Sequence, residues 1–383
     1  MAAHSIEQTF YGALESTFNT PQAWSAGDAF LALELSIQFE QQLAESEELS
    51  GSASVRTLTK GRTRGTWSCR VHPRVNASAS GTAPPAAFLW RLGFAGTPNT
   101  SSKWQVGLSD ANPSGAQMAR KIGSSKYEQI NGCVLENVEV SVDGSGAPGV
   151  VTFSGAFSSY RTLEENLTVS GAHSTSDTTI DVESGGGDHV AAGLFVAFAS
   201  EDNSGSGYQI SSISSDTLTI SPGLAGGLSG GEVLAVIVPA LSDTSTLVQG
   251  VSCGFSVDGG STALDFQSAS LSFATGHSLR EGEASTAAAT GVVRSRRKIT
   301  GTVTAYSEEE WNDVLAALTS QASQDVLLRL GPNTSNARIK FDLPACKVLS
   351  HQTEVPDGLA TLQIEFQAVQ SSAASDECVL LLD

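Results

Sequence analysis

Residues 31–71 read LALELSIQFEQQLAESEELSGSASVRTLTKGRTRGTWSCRV. The opening alternates. Leu31, Leu33, Leu35, Ile37 and Phe39 fall on one side; Glu34, Ser36, Gln38 and Glu40 fall on the other. A period of two marks a half-buried strand, because successive side chains leave a strand on opposite faces. The end of the stretch continues the pattern, with Trp67, Cys69 and Val71 set against Thr66, Ser68 and Arg70. Between the strands lies a long loop with Glu45, Glu47 and Glu48, then a basic stem with Arg56, Lys60, Arg62 and Arg64. A loop of this length is usually functional or without fixed structure. Its acidic tip and basic stem are complementary, which predicts contacts between stacked copies of the chain. One exposed ion pair contributes only about 0–1 kcal/mol, so such pairs would set register more than strength.

A diverged copy follows near residue 265: FQSASLSF at 266–273, a loop GHSLREGEASTAAATG at 276–291, and VRSRRKITGTVTA at 293–305. Ala269, Leu271 and Phe273 match Leu35, Ile37 and Phe39, and Ser268, Ser270 and Ser272 take the polar side. Gly301-Thr302 is matched to Gly65-Thr66, and Arg296 and Lys298 to Lys60 and Arg62. The second loop mixes Arg280 with Glu281 and Glu283. Cys346 recurs for Cys133, and Leu362, Ile364 and Phe366 recur for the inward residues between Val151 and Phe157. Each copy also carries one expected helix. In the first, Pro84 and Pro85 fit the first turn, Phe88, Leu89 and Leu92 form the apolar face, and Gly93 ends it. In the second, SEEEWNDVLAAL has a capping box of Ser307 and Glu310, with Trp311, Val314, Leu315 and Leu318 on one face.

The organisation expected from these signals is mainly β. Residues 1–28 form an extended arm, 29–160 the first copy, 161–243 an insertion and 244–383 the second copy. The insertion reads as a small β-barrel or sandwich, because short strands such as TTIDVES, LFVAFA, YQISSIS and DTLTIS alternate with Gly- and Ser-rich turns. Interrupting one copy only, it is expected on the outer surface. Residues 95–117 read as surface loop. In the meander that follows, Val138, Val140 and Val142 face inward, as do Val151, Phe153 and Phe157 on the return.

Composition narrows the function. The chain of 383 residues carries 40 acidic and 21 basic residues, a net charge of −19, which excludes binding duplex DNA by neutralising its phosphates. It does not exclude enclosing DNA without sticking to it. Five scattered cysteines without CxxC spacing suit small buried hydrophobes in a reducing compartment. The start lacks an apolar signal core, and runs such as VAAGLFVAFA are too short to span a bilayer. A soluble protein made in a cytoplasm is expected.

Chemistry is hard to find. None of the six histidines sits at metal-ligand spacing, and Asp188-His189 has no nucleophile elbow to serve. VDGSG, EDNSGSG and VDGGS do not complete a calcium loop, and SGGG and AGGLSGG lack the GK[ST] of a phosphate loop. The Arg294–Lys298 cluster fits an interface better than a nucleic-acid patch on so acidic a chain. No enzyme activity, cofactor or metal is expected.

The ESTFNTP segment at 15–21, the strand–loop–basic-strand units ending in RTRGTW and RRKITGTVTAY, the helix EEEWNDVLAAL and the closing LATLQIEFQAV together resemble the tail tube proteins of long-tailed, siphovirus-type bacteriophages. The resemblance covers roughly residues 10–160 and 247–370. It implies two tandem tube-type β-sandwiches, each with one flanking helix. Their strands would join around a ring into an inner barrel, and the long loops would reach the next ring. Rings in that family usually hold six copies of the fold, so three chains, or six, would build one. The lumen would be lined by Glu34, Ser36, Gln38, Glu40, Ser268, Ser270 and Ser272. Contacts between subunits or rings would use Glu45, Glu47, Glu48, Lys60, Arg62, Arg64, Arg280, Glu281, Glu283, Arg296 and Lys298. The implied role is a virion structural protein that assembles in the host bacterial cytoplasm. Its partners would be itself, other tail proteins and a tape measure protein in the lumen before ejection, with DNA passing through unbound and no membrane insertion. A distal tail or hub protein, or the tube of a phage-like particle, is the near alternative; a β-rich adhesin or glycan-binding protein is the distant one.

Overall fold

The protein is described from a computed structural model. It describes residues 8–45, 58–75, 83, 86–100, 104–123, 126–143, 147–163, 167–241, 245–248, 253–257, 262–281, 288–306, 323–332, 338–355, 360–371 and 377–382, with side chains at all of these except 41–45, 58–63 and 262–264. The chain is mainly β, with antiparallel sheets and one α-helix among the described residues.

The first part contains β1 (Gln8–Leu14), β2 (Ala29–Phe30), β3 (Glu34–Glu45), β4 (Leu58–Val71), β5 (Arg74–Val75), α1 (Ala87–Phe94), β6 (Trp104–Gly107), β7 (Ala116–Ile122), β8 (Lys126–Asp143), β9 (Val150–Phe157) and β10 (Ser159–Leu163). β8 is long enough to serve two pairings. Its first half lies between β7 and β10, and β7 carries β1 and then β2. Its second half pairs with β9, followed by β4 and β3. A bulge between Leu135 and Asn137 separates the halves; an extra residue bends a strand and re-aims it.

The middle part contains β11 (Leu167–Thr168), β12 (Thr179–Asp181), β13 (Phe195–Phe198), β14 (Tyr208–Ser214), β15 (Thr217–Ser221) and β16 (Val233–Val236), in the spatial order β11-β16-β13-β14-β15-β12. Ser170 N–H donates to the Asp181 carbonyl at 2.7 Å and Glu183 N–H to the Thr168 carbonyl at 2.9 Å. These bonds flank a bridge between Val169 and Val182 that joins the first strand to the last, so this sheet closes on itself there.

The last part contains β17 (Thr246–Leu247), β18 (Gly254–Val257), β19 (Thr262–Leu264), β20 (Ser268–Ala274), β21 (His277–Leu279), β22 (Val292–Arg294), β23 (Lys298–Tyr306), β24 (Gln324–Leu330), β25 (Ile339–Glu354), β26 (Thr361–Ala368) and β27 (Val379–Leu382). The pairings of the first part recur in order. β25 plays the role of β8: its first half lies between β24 and β27, with β24 carrying β18 and then β19. Its second half pairs with β26, followed by β23 and β20. The bulge recurs as well, between Val348 and Ser350.

The two repeats join directly. β8 pairs with β20 over seven residues, from Ser268 opposite Asp143 to Ala274 opposite Asn137. The strands β3-β4-β9-β8-β20-β23-β26-β25 therefore form one continuous eight-stranded run. One hydrophobic core lies under both repeats. α1 sits across the junction: the Trp90 ring meets Phe153 edge-on at 4.9 Å and Phe341 at 5.7 Å, while Phe94 meets Phe273 at 5.9 Å.

Several sequence expectations need correction. The helix does not end at Gly93; it runs to Phe94, and Ala95 closes it at φ 55 with its N–H donating to the Arg91 carbonyl. Gly93 is instead a close-approach site, where a Cβ would lie 2.8 Å from Leu135. Residues 95–117 are not all loop, since β6 pairs with β27 and buries Trp104 and Val106. The alternation from Leu31 overruns the strand, which begins at Glu34 and leaves Leu31 and Leu33 exposed. Phe39 is exposed too, stacked on Tyr160 at 5.5 Å. Residues 8–14, within the stretch read as an arm, form β1 and bury Phe10 and Tyr11. The second helix expected at 307–318 lies outside the described residues.

One repeat match also shifts. Phe39 faces Gly65, whereas Phe273 faces Ile299 and Gly301 faces Leu271. If Phe273 stands for Phe39, Gly301 stands for Trp67 and not for Gly65. The rung explains how: Trp67 faces Gly155 in the first repeat, and Gly301 faces Phe366 in the second. The large and small residues have changed sides, with the smaller Phe in place of Trp, so each rung still sets one aromatic ring against a glycine.

Candidate functional site

The surface of interest is the polar face of the eight-stranded run with its two outer edges. Residues on one rung of a ladder share a face. Glu34, Ser36, Gln38 and Glu40 lie on rungs with Arg70, Ser68, Thr66 and Arg64, and all are solvent-accessible. Ser268, Ser270 and Ser272 lie on rungs with Thr304, Thr302 and Thr300 on one side and with Asp143, Ser141 and Glu139 on the other. The residues expected to share a lumen are thus brought onto one face. Beneath them Leu35, Cys69, Phe153, Val140 and Leu271 are buried.

The face is small, hydroxyl-rich and slightly acidic. Its carboxylates are Glu34, Glu40, Glu139, Asp143, Glu354 and Glu365; its cations are Arg64, Arg70, Lys298 and Lys347. Arg70 and Glu34 approach to 3.9 Å, with side chains 50% and 58% exposed, so the pair adds about 0–1 kcal/mol at most. Ser350 donates to Glu365 at 2.8 Å. The described side chains of this face make no basic track for phosphates.

The edges carry more information. Among the described residues β3 pairs with β4 alone, and residues 350–354 of β25 pair with β26 alone. Aligned by the two bulges, Val138, Val140 and Val142 correspond to His351, Thr353 and Val355. The first three are buried because β20 covers them. Val355 is 65% exposed, and so is the bulge residue Leu349, at 55%. The same place in the repeat is closed in one copy and open in the other.

The expected contact residues separate into groups. Arg64 is exposed opposite Glu40, and Glu45, Lys60 and Arg62 lie on the β3–β4 hairpin, where side chains are not described. Glu47, Glu48 and Glu283 lie outside the described residues. Arg280, Glu281, Arg296 and Lys298 are exposed around the β21–β22 hairpin. Reading the sequence alone overlooked what holds that hairpin down. Arg294 pairs with Asp110 at 2.5 Å, and Arg297 pairs with Asp110 at 3.4 Å and Glu377 at 2.9 Å. Beneath it His277 is 4% exposed with both ring nitrogens unpartnered among the described residues. Burial, then the nearby Arg294 and Arg297, push its pKa down from 6.5 to about 4.

A second overlooked node ties the chain's start to the sheet. Glu15 is 2% exposed and accepts from Gly132 N–H at 2.7 Å, Asn19 N–H at 2.6 Å and Asn131 Nδ2 at 3.2 Å. Burial raises its pKa from 4.5 to about 7 against those hydrogen bonds and the nearby Arg161. Arg161 in turn donates to Asn131 and, through Nε, to the Ala192 carbonyl of the middle part. Trp24 donates to Tyr127, which donates to Gln129.

No protein-family model and no curated protein sequence matches this chain. No helix among the described residues is long and apolar enough to cross a membrane.

Proposed function

We propose that this chain is a structural subunit of a phage-type tail tube, polymerising into rings that stack around a conduit for DNA. The observation that carries the reading is the β8–β20 junction. Two repeats are already joined edge to edge, and the outer edges of the run are the same two edges left unmade. An open strand edge invites pairing, and ring closure removes it. In this reading each repeat is a tube-type sandwich and the polar face lines the lumen. Carboxylates and hydroxyls there repel or ignore phosphate, so DNA slides. Three chains would supply six repeats. The virion tail is the location, with other tail proteins at its ends, a tape measure protein inside before ejection, and the closed middle sheet outside.

The internal junction supplies the register of the external one. Ser270 faces Ser141 within the chain; the same offset places Ser36 of one copy opposite Glu354 of the next, and covers Val355 with the strand carrying Leu35. Opposed residues in such a ladder lie about 4.5–5.5 Å apart, within reach of a disulfide. The variant Ser36→Cys/Glu354→Cys is expected to oxidise into covalently closed rings of fixed mass, seen as annuli by negative-stain microscopy. Oxidation that leaves only monomers at concentrations where wild-type protein assembles would refute the register and the ring with it.

A further inference from the structure

The junction made inside the chain and the junction proposed between chains bring different side chains together. Inside, the core-facing pairs are Val138 opposite Phe273, Val140 opposite Leu271 and Val142 opposite Ala269. All are apolar and at most 5% exposed. One rung in each repeat fixes the correspondence. Leu35, Cys69, Phe153 and Val138 stand in line across the first, and Ala269, Val303, Ile364 and His351 across the second. The same offset therefore sets His351 of one chain opposite Phe39 of the next, Thr353 opposite Ile37 and Val355 opposite Leu35. Where the internal junction buries a valine, the external one presents a histidine.

In the single chain both members of that pair are open to water: Phe39 is 45% exposed, and His351 is exposed as well. Phe39 already stacks on the Tyr160 ring, and Tyr160 ties it to a charge cluster. Glu128 is buried there and both its oxygens are taken. Oε2 accepts from Arg120 Nε at 2.5 Å; Oε1 accepts from the Tyr160 hydroxyl at 3.0 Å and meets Lys126 Nζ at 3.2 Å. Arg120 also donates through Nη1 to the Leu35 carbonyl of β3 at 2.7 Å, so a cation lies against the same strand. On the histidine's own side, the rung neighbour is Ile364, and Val348 and Thr353 flank it along β25; none of these carries charge.

An imidazole in water ordinarily takes up a proton at about pH 6.5. Seated between Phe39 and Ile364 it leaves water, and burial penalises the charged form far more than the neutral one. The cluster joined to Phe39 adds to that penalty: Arg120 and Lys126 outnumber Glu128, whose oxygens are already engaged and leave no free acceptor for an imidazolium. The three internal pairs hold no ionisable group and give no such response. We propose that the junction between chains is a proton-controlled switch. Neutral His351 of one chain packs on Phe39 of the next and the ring closes; protonation of that imidazole parts the two strands while the β8–β20 junction holds. This rests on the ring reading above and assigns its regulation.

The test follows ring formation by the full chain in the analytical ultracentrifuge. Between about pH 7.5 and about pH 5.5 the association constant of each wild-type junction is expected to fall about tenfold, because joining excludes one proton. His351→Val, which copies Val138 of the internal junction, should assemble equally well at both. His351→Lys, whose charge persists, should assemble poorly at both. Position 351 is exposed in the single chain, so both variants should keep the wild-type urea midpoint, and a loss of rings is then not a loss of fold. Other titrating groups act alike on wild type and His351→Val and cancel between them. A wild-type constant that stays level, or a His351→Val chain that loses rings as steeply as wild type, would overturn the switch. The Ser36→Cys/Glu354→Cys cross-link at about pH 8, where imidazole is neutral, reports on the ring separately. If it closes while His351→Val tracks wild type, the ring reading stands and the switch falls; if it yields only monomers, the ring reading is what fell, and the switch with it.

Discussion

Glu15 and His277 are buried ionisable groups that pull stability in opposite directions with pH. Glu15 has its folded pKa raised from 4.5 to about 7, so the folded chain holds a proton that the unfolded chain releases between those values. Its contribution is full below pH 4.5 and is lost as pH rises through 7. His277 has its folded pKa lowered from 6.5 to about 4, so its contribution is full above pH 6.5 and is lost as pH falls towards 4. At about 1.4 kcal/mol per pH unit, raising the pH from 5 to 8 removes about 2.5 kcal/mol through Glu15 and adds about 2 kcal/mol through His277. From these two groups alone, wild-type stability should be nearly level across that range.

Removing either group exposes the other. Glu15→Gln keeps an acceptor for part of the Gly132, Asn131 and Asn19 network, and its lost hydrogen bond is an offset independent of pH. Relative to wild type, this variant should gain about 2.5 kcal/mol of stability between pH 5 and pH 8. His277→Phe should show the reverse slope, about 2 kcal/mol lost over the same range. Urea unfolding of the unassembled chain, followed by tryptophan fluorescence at several pH values, reads both differences, and shifts at other carboxyls cancel between variants. Curves for wild type and Glu15→Gln that stay parallel within about 0.5 kcal/mol would show that Glu15 ionises as an ordinary carboxylate, and the reasoning from its burial would be wrong.

Two substitutions probe the shared core. Trp90→Ala removes the ring that touches Phe153 of the first repeat and Phe341 of the second; it should cost about 3–5 kcal/mol and lower a single calorimetric transition, whereas two separated transitions would show that the repeats unfold independently. Gly301→Ala places a Cβ 2.2 Å from the Phe366 ring; a loss of about 1–3 kcal/mol in chemical denaturation is expected, with most of it recovered when Phe366→Leu is added.

What the sequence showed was the part of the fold written in local alternation. Val138, Val140, Val142, Val151 and Phe153 are buried where their period places them, and the duplication was visible because each repeat keeps its inward residues in the same phase. What it hid depends on partners distant along the chain. β6 is four residues long and is a strand only because β27, at the far end of the chain, lies beside it. The Gly301 match slipped by two rungs because two residues traded places across a ladder, and similarity within one strand cannot reveal a trade between two. The basic cluster at Arg294–Lys298 was plain, but its acids stand at Asp110 and Glu377, outside any local window. Glu15 gave no signal, because a lone carboxylate in a polar stretch becomes unusual only once β7, β8 and Arg161 have closed over it.

The duplication also limits what can be built. A head-to-tail contact generates a closed ring if its rotation divides a full turn, and an open filament if it does not. In the proposed ring, one junction in every two is made inside a chain by β8 and β20, which fixes the angle between repeats before any chains meet. The external junction needs only to copy it, with the strand around Ser36 standing in for β20 and the second half of β25 for β8. Since each chain brings two repeats, any closed ring holds an even number, so six repeats from three chains is allowed and five or seven is not. The two junctions of such a ring cannot be identical. Beside the internal one the hairpin after β20 carries Arg280 and Glu281, whereas the stretch following β3 carries Glu45, Glu47 and Glu48 in its sequence. Symmetry would then be threefold in chemistry and sixfold only in strand pairing.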